Sequence, residues 1–210
     1  MSVYCGIDPD THTSPVALLA GDGTVIHIGF AESSKDLKEM DAVSGMIDSI
    51  VEQISTDEYL HATKMSAIAI ESQEISYTAR VGVNPASVLR LAYVTGAWAS
   101  GLRFLNECPI YLPKPFVWKG NVPKSIHQTR VLRRLSVPYK VCGRGDSAYC
   151  APNRDFLDPV KHEALIRFEE AYGRAAWKHA VDALGLAMYA METLALSDRR
   201  DQILRGIKGE

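Results

Sequence analysis

Two carboxylates stand where apolar strands should end. Val3, Cys5 and Ile7 alternate with Tyr4 and Gly6, the period-2 pattern of a strand, and Asp8 follows directly, before a Pro9 that has no amide hydrogen to continue a ladder. Residues 65–70 (MSAIAI) form a short, nearly continuous apolar run that reads as a central strand buried on both faces, and it runs straight into Glu71. A third carboxylate, Asp182, lies three residues after His179 in the first turns of a long apolar helical stretch, so the two share a face. Each has an ordinary explanation when taken alone. An Asp at a strand end is usually a turn former. An Asp beside a His at a helix start either complements the helix dipole or aims ligands at the strand ends. As a set, Asp8, Glu71, His179 and Asp182 supply hard oxygen donors with one imidazole, a combination that suits Mg²⁺ or Mn²⁺. Two such ions about 3.5–4 Å apart orient a water and stabilise the leaving oxygen of a phosphodiester. Clustered carboxylates repel one another without a cation, which argues for metal.

The elements that must position these groups follow from pattern. Residues 15–20 are a second apolar run, Gly21-Asp22-Gly23 supplies hairpin chemistry, and residues 24–30 give a third strand, so the chain opens as an antiparallel meander. Ser33 or Ser34 caps a helix over about 35–54, with Met40, Val43, Met46, Ile47, Ile50 and Val51 on one face. After Glu71, residues 72–83 read as a polar loop over the sheet's carboxyl edge, carrying Tyr77 and Arg80. Asn84-Pro85 starts a helix rich in small residues, whose partner is the sheet, a neighbouring helix or a second subunit. Residues 109–112 are a short strand. Residues 114–123 read as a loop with Phe116 and Trp118 between lysines, residues 124–135 as a basic helix, and residues 136–153 as irregular. Asp158-Pro159 starts a helix that Gly173 ends, the last helix covers about 174–196, and the tail 197–210 is charged and loose.

The chain has 210 residues, 47% of them hydrophobic, enough for one globular domain over 1–196 without staples. No apolar run reaches the ~18 residues of a membrane span, and the N-terminus shows no basic segment or cleavage site, so the expected location is cytoplasmic. Cys5, Cys108, Cys142 and Cys150 lack paired spacing and read as reduced thiols. Cys142 and Cys150 share a loop and, with His162, are a lesser zinc alternative. Charge is uneven. Residues 1–79 hold 13 acids and 3 bases, whereas residues 108–145 hold no acid and 8 bases: Lys114, Lys119, Lys124, Arg130, Arg133, Arg134, Lys140 and Arg144. Such a window suggests a polyanion-binding face, the plainer alternative being a solvated basic face with no partner. His127, within the window, is a candidate phosphate contact. His61 and His162 read as surface residues.

Three blocks then resemble a known family. GIDPDTHTSPVALL, IAIES and KHAVDALGLAMYA are similar to the catalytic blocks of RuvC-type Holliday-junction resolvases, in the same order and structural context. The resemblance covers most of residues 2–136 and 174–190, and it implies a ribonuclease H-like α/β fold: a mixed five-stranded sheet, antiparallel meander then parallel strands, flanked by helices. It implies Asp8, Glu71, His179 and Asp182 as ligands of two Mg²⁺ ions, with Mn²⁺ as substitute. Lys119 and Lys124 would lie near the scissile phosphate, and Tyr77 or Ile75 where the family places an aromatic wedge. The DNA-contacting set is then Tyr77, Arg80 and the eight bases of the window. The implied partners are four-way DNA junctions and a second copy of the chain, in a bacterium or virus-infected cell. The chain departs from the family at Asp10, where the family has Gly, and in a longer connection at about 137–173, an insert.

Other readings compete. One is a ribonuclease H-like nuclease acting on forks, flaps or hybrids. Another is a junction-binding module without catalysis. A sugar kinase or actin-like ATPase shares the opening hairpin, but this chain lacks a second phosphate loop of the Asp-Gly-Thr type and leaves the basic window unexplained.

Overall fold

The computed structural model describes all residues except 11, 35, 37–38, 56–64, 73–84, 106 and 209–210. Strands β1 (Val3–Ile7), β2 (Thr13–Ala20) and β3 (Val25–Glu32) form the antiparallel meander, and β4 (Met65–Ile70) and β5 (Ile110–Tyr111) add parallel to β1, in the order β3-β2-β1-β4-β5. This is the mixed five-stranded sheet that the sequence predicts.

Alternation along the strands gives the sheet two unlike faces. Val3, Cys5, Ile7, Val16, Leu18, Ile68 and Ile70 point to one side, where they form a core with Val43 and Met46 of α1 (Glu39–Ser55) and Val94 and Trp98 of α2 (Pro85–Leu105). The other face carries small residues at its centre. Ala17, Ala67 and Ala69 lie there, packed with residues of α6 (Trp177–Lys208). Gly6 shows how close that helix comes: a Cβ on it would stand 2.1 Å from the Ala183 carbonyl oxygen and 2.3 Å from the Ala187 nitrogen. Side chains such as Trp177, Val181 and Leu184 are fully buried, each contributing about 1.5–3 kcal/mol by leaving water. By length and composition Arg174–Gln202 could cross a membrane, but here its apolar surface is used against the sheet. The helices α3 (Pro115–Trp118), α4 (Lys124–Arg134) and α5 (Glu163–Tyr172) belong to the same side as α6.

Four expectations are corrected. Residues 114–123 are not all loop, because Pro115 opens the short helix α3. Residues 136–153 are not irregular: β6 (Tyr139–Cys142) and β7 (Tyr149–Pro152) pair antiparallel, and β7 buries Cys150 and Ala151 in the core with α4 and α6. Their connection needs Gly143, which has φ 76° and a Cβ position 3.0 Å from the Ser147 carbonyl oxygen. Asp158 starts a turn rather than a helix, its Oδ1 accepting from the Val160 and Lys161 amides, and α5 begins at Glu163. The last helix does not end at about 196: α6 continues to Lys208.

Candidate active site

Pairing sets where the two strand-end carboxylates go. Ile7 and Ile70 are register partners in the parallel β1–β4 ladder, and both face the α1–α2 core. The next residue on each strand therefore faces α6, and these are Asp8 and Glu71. Ladder bonding continues one step past the strands: the Glu71 amide donates to the Ile7 carbonyl at 3.1 Å, and the Asp8 amide to the Pro15 carbonyl at 3.2 Å. From the helix side, Asp182 is the neighbour of Ala183, the residue seated on Gly6. The close seating that glycine permits is thus what delivers the third carboxylate. Glu71 is 5% exposed and Asp182 3%.

The three carboxylates feel one another. Burial, then the negative charges of Glu71 and Asp182, push the Asp8 carboxyl up to about 8, against the opposing pull of Lys119 and Lys124. Those lysines pair with the other two acids. Lys119 Nζ lies 2.8 Å from Glu71 Oε2, and Lys124 Nζ 2.8 Å from Asp182 Oδ2. Burial works against the charge on Lys119, but Glu71, with Asp182 and Asp8, outweighs it and raises its pKa. His179 sits at the exposed mouth. Desolvation, then Lys124 and Lys178, hold its pKa down, while Asp182 and Asp10 pull it back up. A cleft of ≈ 400 Å³ opens there, lined by Asp8, Pro9, Asp10, Thr13, Pro15, Phe30, Leu91 and His179. A second cavity, ≈ 570 Å³, lies between α2 and β5 and is lined by none of these acids.

Among the described residues, no three His, Cys, Asp or Glu side chains converge as a metal-ligating group. Glu71 Oε2 and Asp182 Oδ2 are bonded instead to ammonium groups. The donor set still fits a hard divalent cation. Burial and two neighbouring carboxylates, Glu71 and Asp182, raise the proton affinity of Asp8, and a cation would relieve that mutual repulsion.

The remaining candidates divide. Tyr77 and Arg80 lie outside the described residues. Lys114, 6.0 Å from the Phe116 ring centroid, stands at the start of α3, and the exposed Arg130 lies on α4. Lys140 lies on β6, and Arg144 is exposed in the β6–β7 connection. Arg133 donates to the Tyr139 hydroxyl at 3.0 Å. Arg134 is not brought to the carboxylates: it pairs with Glu192 at 2.5 Å and lines a small cavity beside the Asp22 turn, at the opposite end of the sheet. His127 is no phosphate contact. It is 6% exposed, with its ring edge-on to Trp118 at 4.7 Å. His162 is buried too, its Nδ1 accepting from the Asp158 amide at 3.0 Å. Cys150 Sγ donates to the Ser125 carbonyl at 3.3 Å, so the zinc alternative gains nothing.

Sequence reasoning missed the groups that hold the carboxylates. Trp118 Nε1 donates to Glu71 Oε2 at 3.0 Å, and Gln128 Nε2 donates to Asp182 Oδ1 at 3.1 Å. Trp118 had a signal in its basic, aromatic segment, but it pointed outward to nucleic acid. Gln128 had none, because a glutamine in a basic helix reads as solvated. Gly185 had a weak one, since a glycine inside an apolar helix suggests close packing. A Cβ there would lie 2.6 Å from the Trp118 ring.

No family model matches the sequence, and no curated protein matches it. Among solved structures, RuvC of Thermus thermophilus in complex with Holliday junction substrate aligns with TM-score 0.52 and 18% identity, over 88% of this chain and 90% of that one. Thermus thermophilus RuvC in a second structure aligns with TM-score 0.49, at 18% identity and over the same 88% and 90%. The chain therefore has a RuvC-like, ribonuclease H-like fold.

Proposed function

We propose that this chain is a metal-dependent, structure-selective endonuclease that cuts four-way DNA junctions as a homodimer, in the cytoplasm of a bacterium or virus-infected cell. The observation that carries the reading is that Asp8, Glu71 and Asp182 stand within electrostatic reach of one another, with Lys119 paired to Glu71 and Lys124 to Asp182. The fold it shares with a RuvC held on a Holliday junction supports branched DNA as the substrate. Asp8, Glu71 and Asp182, with His179 at the mouth, are the residues that would hold Mg²⁺ or Mn²⁺, which when bound supply the charge that orients water and stabilises the phosphodiester oxygens. Hydrolysis adds water across one P–O ester bond and leaves a phosphomonoester and an alcohol. Lys119 and Lys124 offer ammonium groups to the phosphate oxygens as negative charge gathers there, and each releases its carboxylate to do so. Lys114, Arg130, Lys140 and Arg144, with Tyr77 and Arg80, are the proposed DNA contacts.

A junction has near two-fold symmetry, so a dimer sets one site on each of two strands. One face of α2 suits a second copy. Leu89, Tyr93, Gly96, Ser100 and Arg103 recur at steps of four and three and are all exposed, and a Cβ on Gly96 would meet nothing within 4 Å.

The lysine–carboxylate pairing favours one second reading, a junction-binding module without catalysis. Both are tested with a labelled synthetic four-way junction in Mg²⁺, beside a splayed fork and linear duplex, using wild type and Asp8→Asn. Paired symmetric nicks on the junction alone, lost in the variant while binding persists, are expected. Tight binding without nicks in Mg²⁺ or Mn²⁺ would establish the binding module. Preferential cutting of forks or flaps would keep the metal chemistry and overturn the substrate.

A further inference from the structure

Gln128 is wholly buried in α4, and its amide is bonded at both ends. Nε2 donates to Asp182 Oδ1 and to the Lys178 carbonyl, each at 3.1 Å, and Oε1 accepts the Cys150 amide of β7 at 2.9 Å. It lies one turn after Lys124 on the same helix face, so a single helix presents two donors to the two oxygens of Asp182. The two donors differ in freedom. The Lys124 side chain is 36% exposed and charged, and it can leave for a phosphate. Gln128 is neutral, without exposure and tied to a strand at its far end, and it cannot. A methionine would fill the same volume with no polar group to bury; what the amide adds is direction.

We infer that Gln128 is the positioning residue of this site, fixing the orientation of Asp182 and tying it to the β6–β7 hairpin. The inference rests on reading Asp182 as a metal ligand. The hairpin is fastened to α4 elsewhere as well, through Cys150 Sγ to the Ser125 carbonyl and to Thr129 Oγ1, but those contacts do not reach Asp182. They provide the control.

The test is calorimetric titration of Mn²⁺ into metal-free protein: wild type, Asp182→Asn, Gln128→Met, Gln128→Leu and Thr129→Val, each first shown to melt cooperatively. Gln128→Leu removes the amide at both ends without adding a charge, so it serves if the methionine variant fails to fold. Both Gln128 variants should lose about 10–100-fold in Mn²⁺ affinity, the range for groups that orient a ligand, whereas Thr129→Val stays within about two-fold of wild type. Mn²⁺ should also slow hydrogen exchange at the Cys150 amide in wild type and not in Gln128→Met. A folded Gln128 variant that binds Mn²⁺ as wild type does, or a Thr129→Val that loses as much as Gln128→Met, would overturn the inference and leave the metal reading standing. An Asp182→Asn that binds Mn²⁺ like wild type would overturn the ligand reading itself, and the role of Gln128 with it.

Discussion

His127 shares a helix with Lys124, Arg130, Arg133 and Arg134, yet burial, aided by Lys119, Arg130 and Lys124 and opposed by Asp182, pushes its pKa from 6.5 down to about 4. The folded protein binds this proton less readily than the unfolded chain. The stability it contributes is therefore complete above pH 6.5 and is lost as pH falls toward about 4. His127→Leu should remove on the order of 3 kcal/mol from the acid limb of a stability–pH curve, read by urea titration between pH 7 and 4. Asp8 is the opposite case. Its carboxyl titrates near 8 rather than 3.8, so ionising it weighs on the metal-free fold increasingly across that interval and by a constant amount above it. In EDTA, Asp8→Asn should melt above wild type, with a margin that grows toward pH 8 and then levels off. A flat or inverted margin would mean that the carboxylates do not share one field.

At the scale of elements, the site depends on how closely α6 approaches β1. Gly6→Ala puts a methyl against the backbone of Ala183 and Ala187, where no flexible side-chain end can yield. The helix must lift, at a cost of about 1–3 kcal/mol. Because Asp182 rides on that helix, junction cutting should fall further than global stability implies, which denaturant melts and cleavage rates measured together would reveal. Gly185→Ala acts on the other carboxylate: its methyl meets the Trp118 ring that donates to Glu71.

At the scale of the whole molecule, charge and symmetry make their own predictions. The net charge is only -2, but the acid-free window gathers its bases into one part of the chain. Junction affinity should fall with salt at a log–log slope near -0.9 per neutralised phosphate, and Arg130→Ala should make that slope shallower by about one unit. If α2 seats the second copy, Gly96→Arg should sediment as a monomer. It should keep Mn²⁺ binding and replace paired nicks with single ones. A Gly96→Arg dimer would move the interface elsewhere.

The strands, the two carboxylates that end them and the apolar last helix were legible because each rests on local periodicity. Alternation with period 2 and a proline or glycine at the right place need no partner to be read. The pairing of those parts was not local. That Asp8 and Glu71 face α6 follows from the Ile7–Ile70 register, and that Asp182 reaches them follows from a glycine contact between residues far apart in sequence. The β6–β7 ribbon escaped notice because its strands are four residues each and their burial comes from α4 and α6 rather than from their own alternation. His127 and Gln128 carry polar side chains in a basic helix, and nothing local distinguishes the solvated face of such a helix from one turned against Trp118 and Asp182. Sequence alone determined which candidate acids and bases the chain offers and on which elements they sit. Tertiary structure alone decided what each carboxylate meets, because burial and opposing charge are properties of neighbours that the chain brings together only on folding.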